Sequence, residues 1–300
     1  MKPKETINLY RVISLLVIAL VTFGVMGGLC AKSHLYPDEW LSMFFLTLIF
    51  LLACMFELEY ERKQKGISAN TQTTFIRLSV TYTVSGGLIY AISYLPEFYR
   101  PVMIPVILLT AVSNSMVAVS FGLFFDLVLA LTVGGSFYAL AAYMMLTMLA
   151  AVLAQALKEK KYRMGVSLLT FFFSLMIPEL FSYLSTKEMQ KYSLLYAFGT
   201  AFLTFLTVAF LFHRLLHEAD QEIENHLLDI VSEDYSEVKA LKDFSMVEYR
   251  HAVKVSDIAC RCAKEVGYRA NLCLAGGFYY RMGRWIGEPY ITNAVNKAES

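Results

Sequence analysis

The chain has 300 residues, of which 57% are hydrophobic and only 17% charged, and its mean hydropathy is +0.52. These values lie well above those of soluble proteins and argue against an ordinary soluble domain. The formal net charge of +1 decides nothing, because it averages two unlike regions. The chain is apolar up to about His213 and charged afterwards, so we predict an integral membrane domain followed by a soluble tail.

Apolar runs long enough to cross a bilayer, about 20 residues each, follow one another through the first region. Five are clear, at 10–31, 40–58, 72–95, 163–184 and 192–213. The first is too long for the core of a signal peptide, and no small-residue cleavage site follows it. We therefore predict an anchor span within 1–37 and a seven-span membrane domain at 38–213.

The count of seven depends on the long apolar run from Pro101 to Leu157, whose one charged residue is Asp126. As a single helix this run would be about 85 Å long, which exceeds any bilayer. The basic loops Glu61–Lys65 and Lys158–Arg163 should both be cytoplasmic. Because the span at 72–95 leaves the cytoplasm after the first loop, the long run must cross an odd number of times to return to the second. Three crossings of about 19 residues give eight spans in total.

Breaks between the three crossings are predicted near Ser113–Ser115 and Gly134–Gly135. Lys2, Lys4 and Arg11 place the N-terminus in the cytoplasm, and the even number of spans places the tail there too.

Two acidic residues, Asp126 and Glu179, lie deep in apolar runs. Intramembrane acids often mark ion pathways or ligand sites, and the alternative is a hydrogen bond between helices. Transporters pair such residues with helices broken by glycine or proline in repeated halves. Gly86–Gly87, Gly134–Gly135 and Pro178 are present, but no repeat is visible, so a transporter-like protein is the second hypothesis.

The five cysteines do not form a predicted metal or disulfide framework. Cys30 and Cys54 lie in spans, whereas Cys260, Cys262 and Cys273 lie in the tail, where the cytosol keeps thiols reduced. Cys260 and Cys262 would point to different faces of a helix, and no second pair completes a zinc site. We predict no cofactor and no metal.

The tail begins with a predicted helical stalk at 214–244 that continues from the last span. Acids dominate from Glu218 to Glu248, and bases dominate from Arg250 to Arg284. The basic part could hold an anionic ligand, or it could pair with the acidic stalk within one chain or across a dimer.

The next two helices are marked by local signals. Ser245 and Glu248 form a capping box that starts one helix, and Gly267 suits its C-terminal end. His251, Val255, Ile258, Cys262 and Val266 share one face of this helix, so His251 is predicted to point toward a partner helix. That partner, at about 270–282, carries Gly276–Gly277, which would allow close packing.

The segment from Glu248 to about Asn293, "EYRHAVKVSDIACRCAKEVGYRANLCLAGGFYYRMGRWIGEPYITN", resembles the start of an HD-type phosphohydrolase domain. It is most similar to the cytoplasmic domain of the bacterial seven-transmembrane HD family, and the membrane region is similar more loosely. That family has an anchor span, an extracellular domain, seven spans and an HD domain that degrades cyclic di-AMP. The fold implied is all-α: a polytopic helical membrane bundle followed by a short cytoplasmic HD-like half-domain at 245–300.

The resemblance also implies that the metal-binding residues have been replaced. His251 matches the first histidine of the family and Gly283 its glycine, but the His-Asp doublet falls on Tyr280 and Arg281. Metal ions in such enzymes activate water and neutralise phosphate charge, whereas arginine stays protonated and only donates hydrogen bonds. With the later ligands absent before Ser300, the resemblance implies vestigial positions and no catalytic residue.

We therefore predict a bacterial inner-membrane protein that acts in signalling or as a scaffold through a non-catalytic tail. Its expected partners are the lipid bilayer, a second copy of the chain or another membrane protein, and no nucleic acid. A cyclic dinucleotide is a candidate ligand, with Arg281 and Arg284 as candidate anion-binding residues. The alternatives are a transporter-like protein whose tail mediates assembly, and a residual metal-dependent phosphohydrolase. A chance similarity, with His251 bonded to a neighbour such as Tyr280, also stays open.

Overall fold

The computed structural model describes residues 9–65, 72–113, 115–158, 162–188 and 191–280. Within these ranges every regular element is helical, which confirms the all-α prediction for the part of the chain described. The chain divides into two compact units. One ends at Leu216, and the other begins at His217.

The first unit contains eight α-helices in chain order. They are α1 (Leu9–Lys32), α2 (Pro37–Lys65), α3 (Gln72–Ile92), α4 (Met103–Val112), α5 (Ser115–Thr132), α6 (Phe137–Leu157), α7 (Arg163–Thr186) and α8 (Ser193–Leu206). A 3₁₀ turn (Glu97–Tyr99) precedes α4, and a π-helical segment (Thr207–Phe212) extends α8.

Six stretches are long and apolar enough to cross a membrane, which supports a multi-pass membrane protein. They lie in α1, α2, α5, α6, α7 and the α8 segment with its π-helical extension, and a shorter apolar stretch, Ile76–Ile92, lies in α3. Large apolar side chains are strongly exposed on these helices, including Leu20 at 75% and Phe56 at 74%. Such extensive apolar exposure suits contact with lipid and is unusual for a surface that faces water.

Polar contacts show that the helices share two ends. At one end Arg11 bonds Glu59 and Glu57 bonds Ser120, which joins the start of α1, the end of α2 and the start of α5. At the other end Lys32 of α1 donates to the Ser93 carbonyl oxygen just after α3, at 2.9 Å. These contacts fit a chain that reverses direction with each successive helix.

The segment that contains α4 corrects the prediction of three crossings of equal length. The predicted break near Ser113–Ser115 is found, but it leaves α4 with ten residues, or about 15 Å. A hydrocarbon core of about 30 Å is too thick for such a helix. The described part of the first unit contains eight helices, but the full-length helical span predicted here is wrong. The count of eight membrane crossings stays a prediction.

Although α4 is short, its segment runs between the two ends of the bundle. Glu97 accepts from the Ser136 amide beside the start of α6, and Ser115, just beyond α4, accepts from Gln155 at 2.7 Å near the end of α6. The non-helical residues 100–102 and nearly all of α4 are buried. Irregular backbone at membrane depth is tolerated where protein surrounds it.

Glycines set the close packing in the interior of this unit. A Cβ on Gly122 of α5 would lie 2.5 Å from Thr147 of α6 and 2.7 Å from Val106 of α4. A Cβ on Gly86 of α3 would lie 2.8 Å from Val21 of α1. The predicted break at Gly134–Gly135 is present between α5 and α6, where Gly134 adopts a φ of +71° that favours glycine.

The second unit contains the tail helices. After α9 (His213–Asp229), which begins in the first unit, come α10 (Ser236–Phe244), α11 (Met246–Glu265) and α12 (Ala270–Tyr279). The predicted stalk is therefore two helices separated by a turn after Asp229. The core of the tail is small, and its fully buried members are Val238, Leu241, Ala252 and Phe278.

Candidate functional site

The structure describes His251 and Tyr280, two of the positions that the resemblance identifies as vestigial. His251 lies in the second turn of α11, and Tyr280 directly follows the last residue of α12. The Nε2 atom of His251 lies 2.6 Å from the Tyr280 hydroxyl, within hydrogen-bond distance. These two residues therefore lie together and form a hydrogen bond. The resemblance identifies both as vestigial metal positions.

The face of α11 that contacts α12 differs from the predicted one. Ala252, Ser256 and Ala263 are buried, whereas Ile258 is 63% exposed and Val266 is 77% exposed. His251 itself is exposed, so the predicted burial of its face is wrong. The buried face of α11 carries small residues because α12 approaches the backbone of α11 closely. A pattern of large apolar residues does not identify a contact face of this kind.

One glycine of the predicted pair explains this approach. A Cβ on Gly277 would lie 2.9 Å from the Ser256 Cα and 3.1 Å from the Ala259 Cβ. A Cβ on Gly276 would meet nothing within 4 Å. The prediction of close helix packing is therefore confirmed for Gly277 and wrong for Gly276.

Local signals define the two ends of α11. The Ser245 hydroxyl accepts a hydrogen bond from the Glu248 amide at 3.3 Å, which is one half of the predicted capping box. The Ser245 amide donates to the Leu241 carbonyl oxygen at 3.0 Å. Gly267 follows the helix with a φ of +72°, which is the left-handed conformation expected of a C-terminal glycine. These caps fix the register of α11 and hence the position of His251.

Acidic and basic side chains of the tail form ion pairs within the chain, which is one of the two predicted alternatives. Arg269, at the start of α12, lies 3.3 Å from Glu224 of α9. Lys242 lies 2.8 Å from Glu233, and this contact lowers the pKa of Glu233 and raises the pKa of Lys242. Arg281 and Arg284 lie outside the described residues, so the anion-binding prediction that rests on them stays a prediction.

Tyr279 ties α12 to the turn after α9. Its hydroxyl donates to the Ile230 carbonyl oxygen, and desolvation by burial, with smaller contributions from Tyr235 and Glu237, raises its pKa. Tyr279 therefore stays neutral at physiological pH and keeps its donor. The contact helps to hold Tyr280, the next residue, within reach of His251.

The three cysteines of the tail are free thiols in the described residues. Cys262 is exposed, and Cys260 and Cys273 are partly exposed. Across the described ranges, no group of three or more His, Cys, Asp or Glu side chains is arranged to hold a metal ion.

In the membrane unit, the predicted polar residue Asp126 is almost fully buried, with 1% exposure. Its Oδ2 atom accepts a hydrogen bond from the Thr147 hydroxyl at 2.6 Å. Its Oδ1 atom is buried and has no hydrogen-bond partner among the described residues. The interhelical hydrogen bond given as the alternative for Asp126 is therefore present, and its other carboxyl oxygen has no partner among the described residues.

Glu179, the second predicted polar residue, also has one buried oxygen, Oε1, without a partner in the described part of the chain. The Tyr99 hydroxyl lies near Glu179, Ser182 and Ser193, but it reaches hydrogen-bond geometry with none of them. Polar side chains of the 3₁₀ turn before α4, of α7 and of α8 therefore lie near one another, but the Tyr99 hydroxyl forms no hydrogen bond to the other two elements.

The sequence analysis did not single out Arg100 or Tyr143. Arg100 is 4% exposed, and it donates to the Leu95 carbonyl oxygen at 3.3 Å and to the Tyr143 hydroxyl at 3.2 Å. The Tyr143 hydroxyl in turn donates to the Glu97 carbonyl oxygen. The available signal was the position of Arg100 directly before the long apolar run.

No protein-family model, curated protein or solved structure matches this chain.

Proposed function

We propose that this chain is a multi-pass membrane signalling or scaffold protein whose tail is an HD-like pair of helices without catalytic activity. The observation that carries the proposal is the contact between His251 and Tyr280 at 2.6 Å. In a metal-dependent hydrolase an imidazole nitrogen at this position would face a cation. Here a tyrosine hydroxyl lies against it, and neutral phenol oxygen is a poor replacement for the imidazole and carboxylate ligands that such metals prefer.

The proposed orientation is that of a bacterial inner-membrane protein with both termini in the cytoplasm. The basic loops and the helix order support it. A cysteine introduced at Lys161 should be protected from a membrane-impermeant thiol reagent in intact cells, and one at Glu188 should react. Labelling at Lys161 without labelling at Glu188 would contradict the orientation.

Assembly is the role that the surface of the tail supports best. The tail core contains few buried residues, and small domains with so little buried apolar area are marginally stable. Large apolar side chains remain exposed on and beside α11, namely Val247 at 78%, Ile258 at 63%, Val266 at 77% and Tyr268 at 72%. A second copy of the chain or a partner membrane protein would cover this surface.

The full-length protein purified in detergent tests this role. We expect it to be oligomeric by light scattering, and we expect Ile258→Asn to shift it toward the monomer. Asp257→Asn is the matched control, because Asp257 is an exposed neighbour on the same helix. A wild-type monomer, or an oligomer that Ile258→Asn leaves intact, would contradict assembly through this surface. Equilibrium dialysis with cyclic di-AMP tests the tail as a nucleotide-binding module.

A transporter-like protein whose tail serves only in assembly is the second candidate. The unsatisfied Asp126 carboxyl beside the short helix α4 favours it, because transporter sites combine broken helices with intramembrane polar residues. Uptake of radiolabelled solutes into proteoliposomes, with Asp126→Asn as the comparison, separates it from the first candidate.

A further inference from the structure

The buried carboxyl of Asp126 occupies the most closely packed part of the membrane unit. It lies on α5 one turn beyond Gly122, whose missing Cβ allows Thr147 of α6 and Val106 of α4 to approach. The side chain is 1% exposed, so neither bulk water nor lipid headgroups reach it. Every partner of this carboxyl must therefore come from the protein or be a small buried species such as a water molecule or an ion.

The protein supplies one hydrogen bond. Thr147 donates to Oδ2 at 2.6 Å, and Oδ1 has no partner among the described residues. A charged carboxylate in a protein interior normally accepts several hydrogen bonds or faces a cation, because removing the charge from water costs several kcal/mol. A single hydroxyl does not compensate for that cost.

The neighbouring titratable groups do not provide the missing counter-charge. Tyr143 on α6 lies close enough to interact electrostatically with Asp126, but its hydroxyl is bonded to Arg100 and to the Glu97 carbonyl oxygen. Arg100 forms no hydrogen bond to Asp126. Its donors reach Tyr143 and Leu95 instead.

Among the side chains that the structure describes, the remaining helices beside α5 bring no cation to Asp126 either. Tyr82 of α3 packs its ring against Phe121 and bonds Thr22 of α1. On α2, Glu57 bonds Ser120 and Cys54 is buried. Helix α4, which lies against Gly122, contains no titratable residue.

From this geometry we propose that Asp126 is a proton-binding site inside the membrane domain, with the proton on Oδ1. The site is neutral in the packed state, and it loses or gains its proton only when α4, α5 and α6 separate enough to admit water. Hydrogen bonds from Arg100 to Tyr143 and from Tyr143 to Glu97 connect the surroundings of Asp126 to the end of the bundle where Ser136 lies. The inference does not depend on the role of the tail.

Infrared spectroscopy of the full-length protein in lipid vesicles at neutral pH tests the proposal. A protonated carboxylic acid gives a C=O stretching band that is resolved from the amide bands. We expect this band in the wild type and in the control Glu179→Gln, and we expect its loss in Asp126→Asn. Thr147→Val should shift it to higher frequency, because Thr147 donates to the carboxyl group.

Asp126→Glu serves as a second variant should Asp126→Asn not fold, since it keeps the acid and should move the band. A wild-type spectrum without the band would overturn the proposal. So would a band that persists unchanged in the Asp126 variants, or one that Glu179→Gln removes.

Discussion

The two adjacent glycines of α12 provide a sharp internal comparison for the packing of the tail. Gly276→Ala adds a methyl group where nothing lies within 4 Å, whereas Gly277→Ala places it 2.9 Å from the Ser256 Cα of α11. Both changes gain the helix propensity of alanine, about 0.8–1 kcal/mol. Only Gly277→Ala forces the backbones of α11 and α12 apart.

The expected change in the opening equilibrium of α11 follows from the difference in stability between the two variants. Overpacking in a close contact costs about 1–3 kcal/mol, and the shared gain in propensity cancels in the comparison. Since each 1.4 kcal/mol is a factor of about ten in an equilibrium constant, the opening of α11 should be roughly 5–150 times more frequent in Gly277→Ala than in Gly276→Ala.

Hydrogen–deuterium exchange of full-length protein in detergent, followed by mass spectrometry of peptides within α11, measures this opening. Peptides from α6 provide the reference, because α6 belongs to the other compact unit. Equal protection of α11 in the two variants would refute the close approach at Gly277, and with it the arrangement that brings Tyr280 to His251.

Three further predictions concern the tail. Ser245→Ala should destabilise α11 by about 1 kcal/mol and Ser245→Gly by a few tenths, as measured by the same exchange experiment, and equal protection in both would argue against the cap. Lys242→Met should return the pKa of Glu233 toward 4.5 in a carboxyl NMR titration. The ion pair stabilises the fold above that pH, and this stabilisation is lost as the pH falls through the lowered pKa of Glu233. Wild type and variant should therefore have similar stability in acid and different stability near neutral pH. Arg269→Ala, which breaks an exposed ion pair with Glu224, should change the stability of the tail by less than about 1 kcal/mol, and a larger loss in thermal unfolding would show that the pair is more than a surface contact.

The sequence predicted the helical class and most helix boundaries of the membrane unit because long apolar runs and glycine breaks are local signals. It failed at α4 for a physical reason. Parity of charged loops determines how many times the chain changes sides, but it does not require each passage to be a full-length helix. A buried segment can cross partly as irregular backbone when its neighbours surround it, and no local pattern distinguishes that case.

In the tail, the caps at Ser245 and Gly267 were predictable because each depends on a few neighbouring residues. The contact face of α11 was not, since the choice between large and small residues depends on how closely α12 approaches. The partner of His251 was named as an alternative, but the 2.6 Å contact with Tyr280 depends on the orientation of both helices. Likewise, the isolation of Asp126 Oδ1 could not be predicted, because it depends on which side chains of α4 and α6 face it.

The proposed function requires that the tail does not act as a metal-dependent hydrolase at His251. The most direct measurement combines metal analysis of the purified full-length protein for manganese, iron and zinc with an assay of cyclic di-AMP hydrolysis, using His251→Ala for comparison. The account predicts less than stoichiometric metal and the same background rate in wild type and variant. Stoichiometric metal together with turnover that His251→Ala abolishes would contradict it.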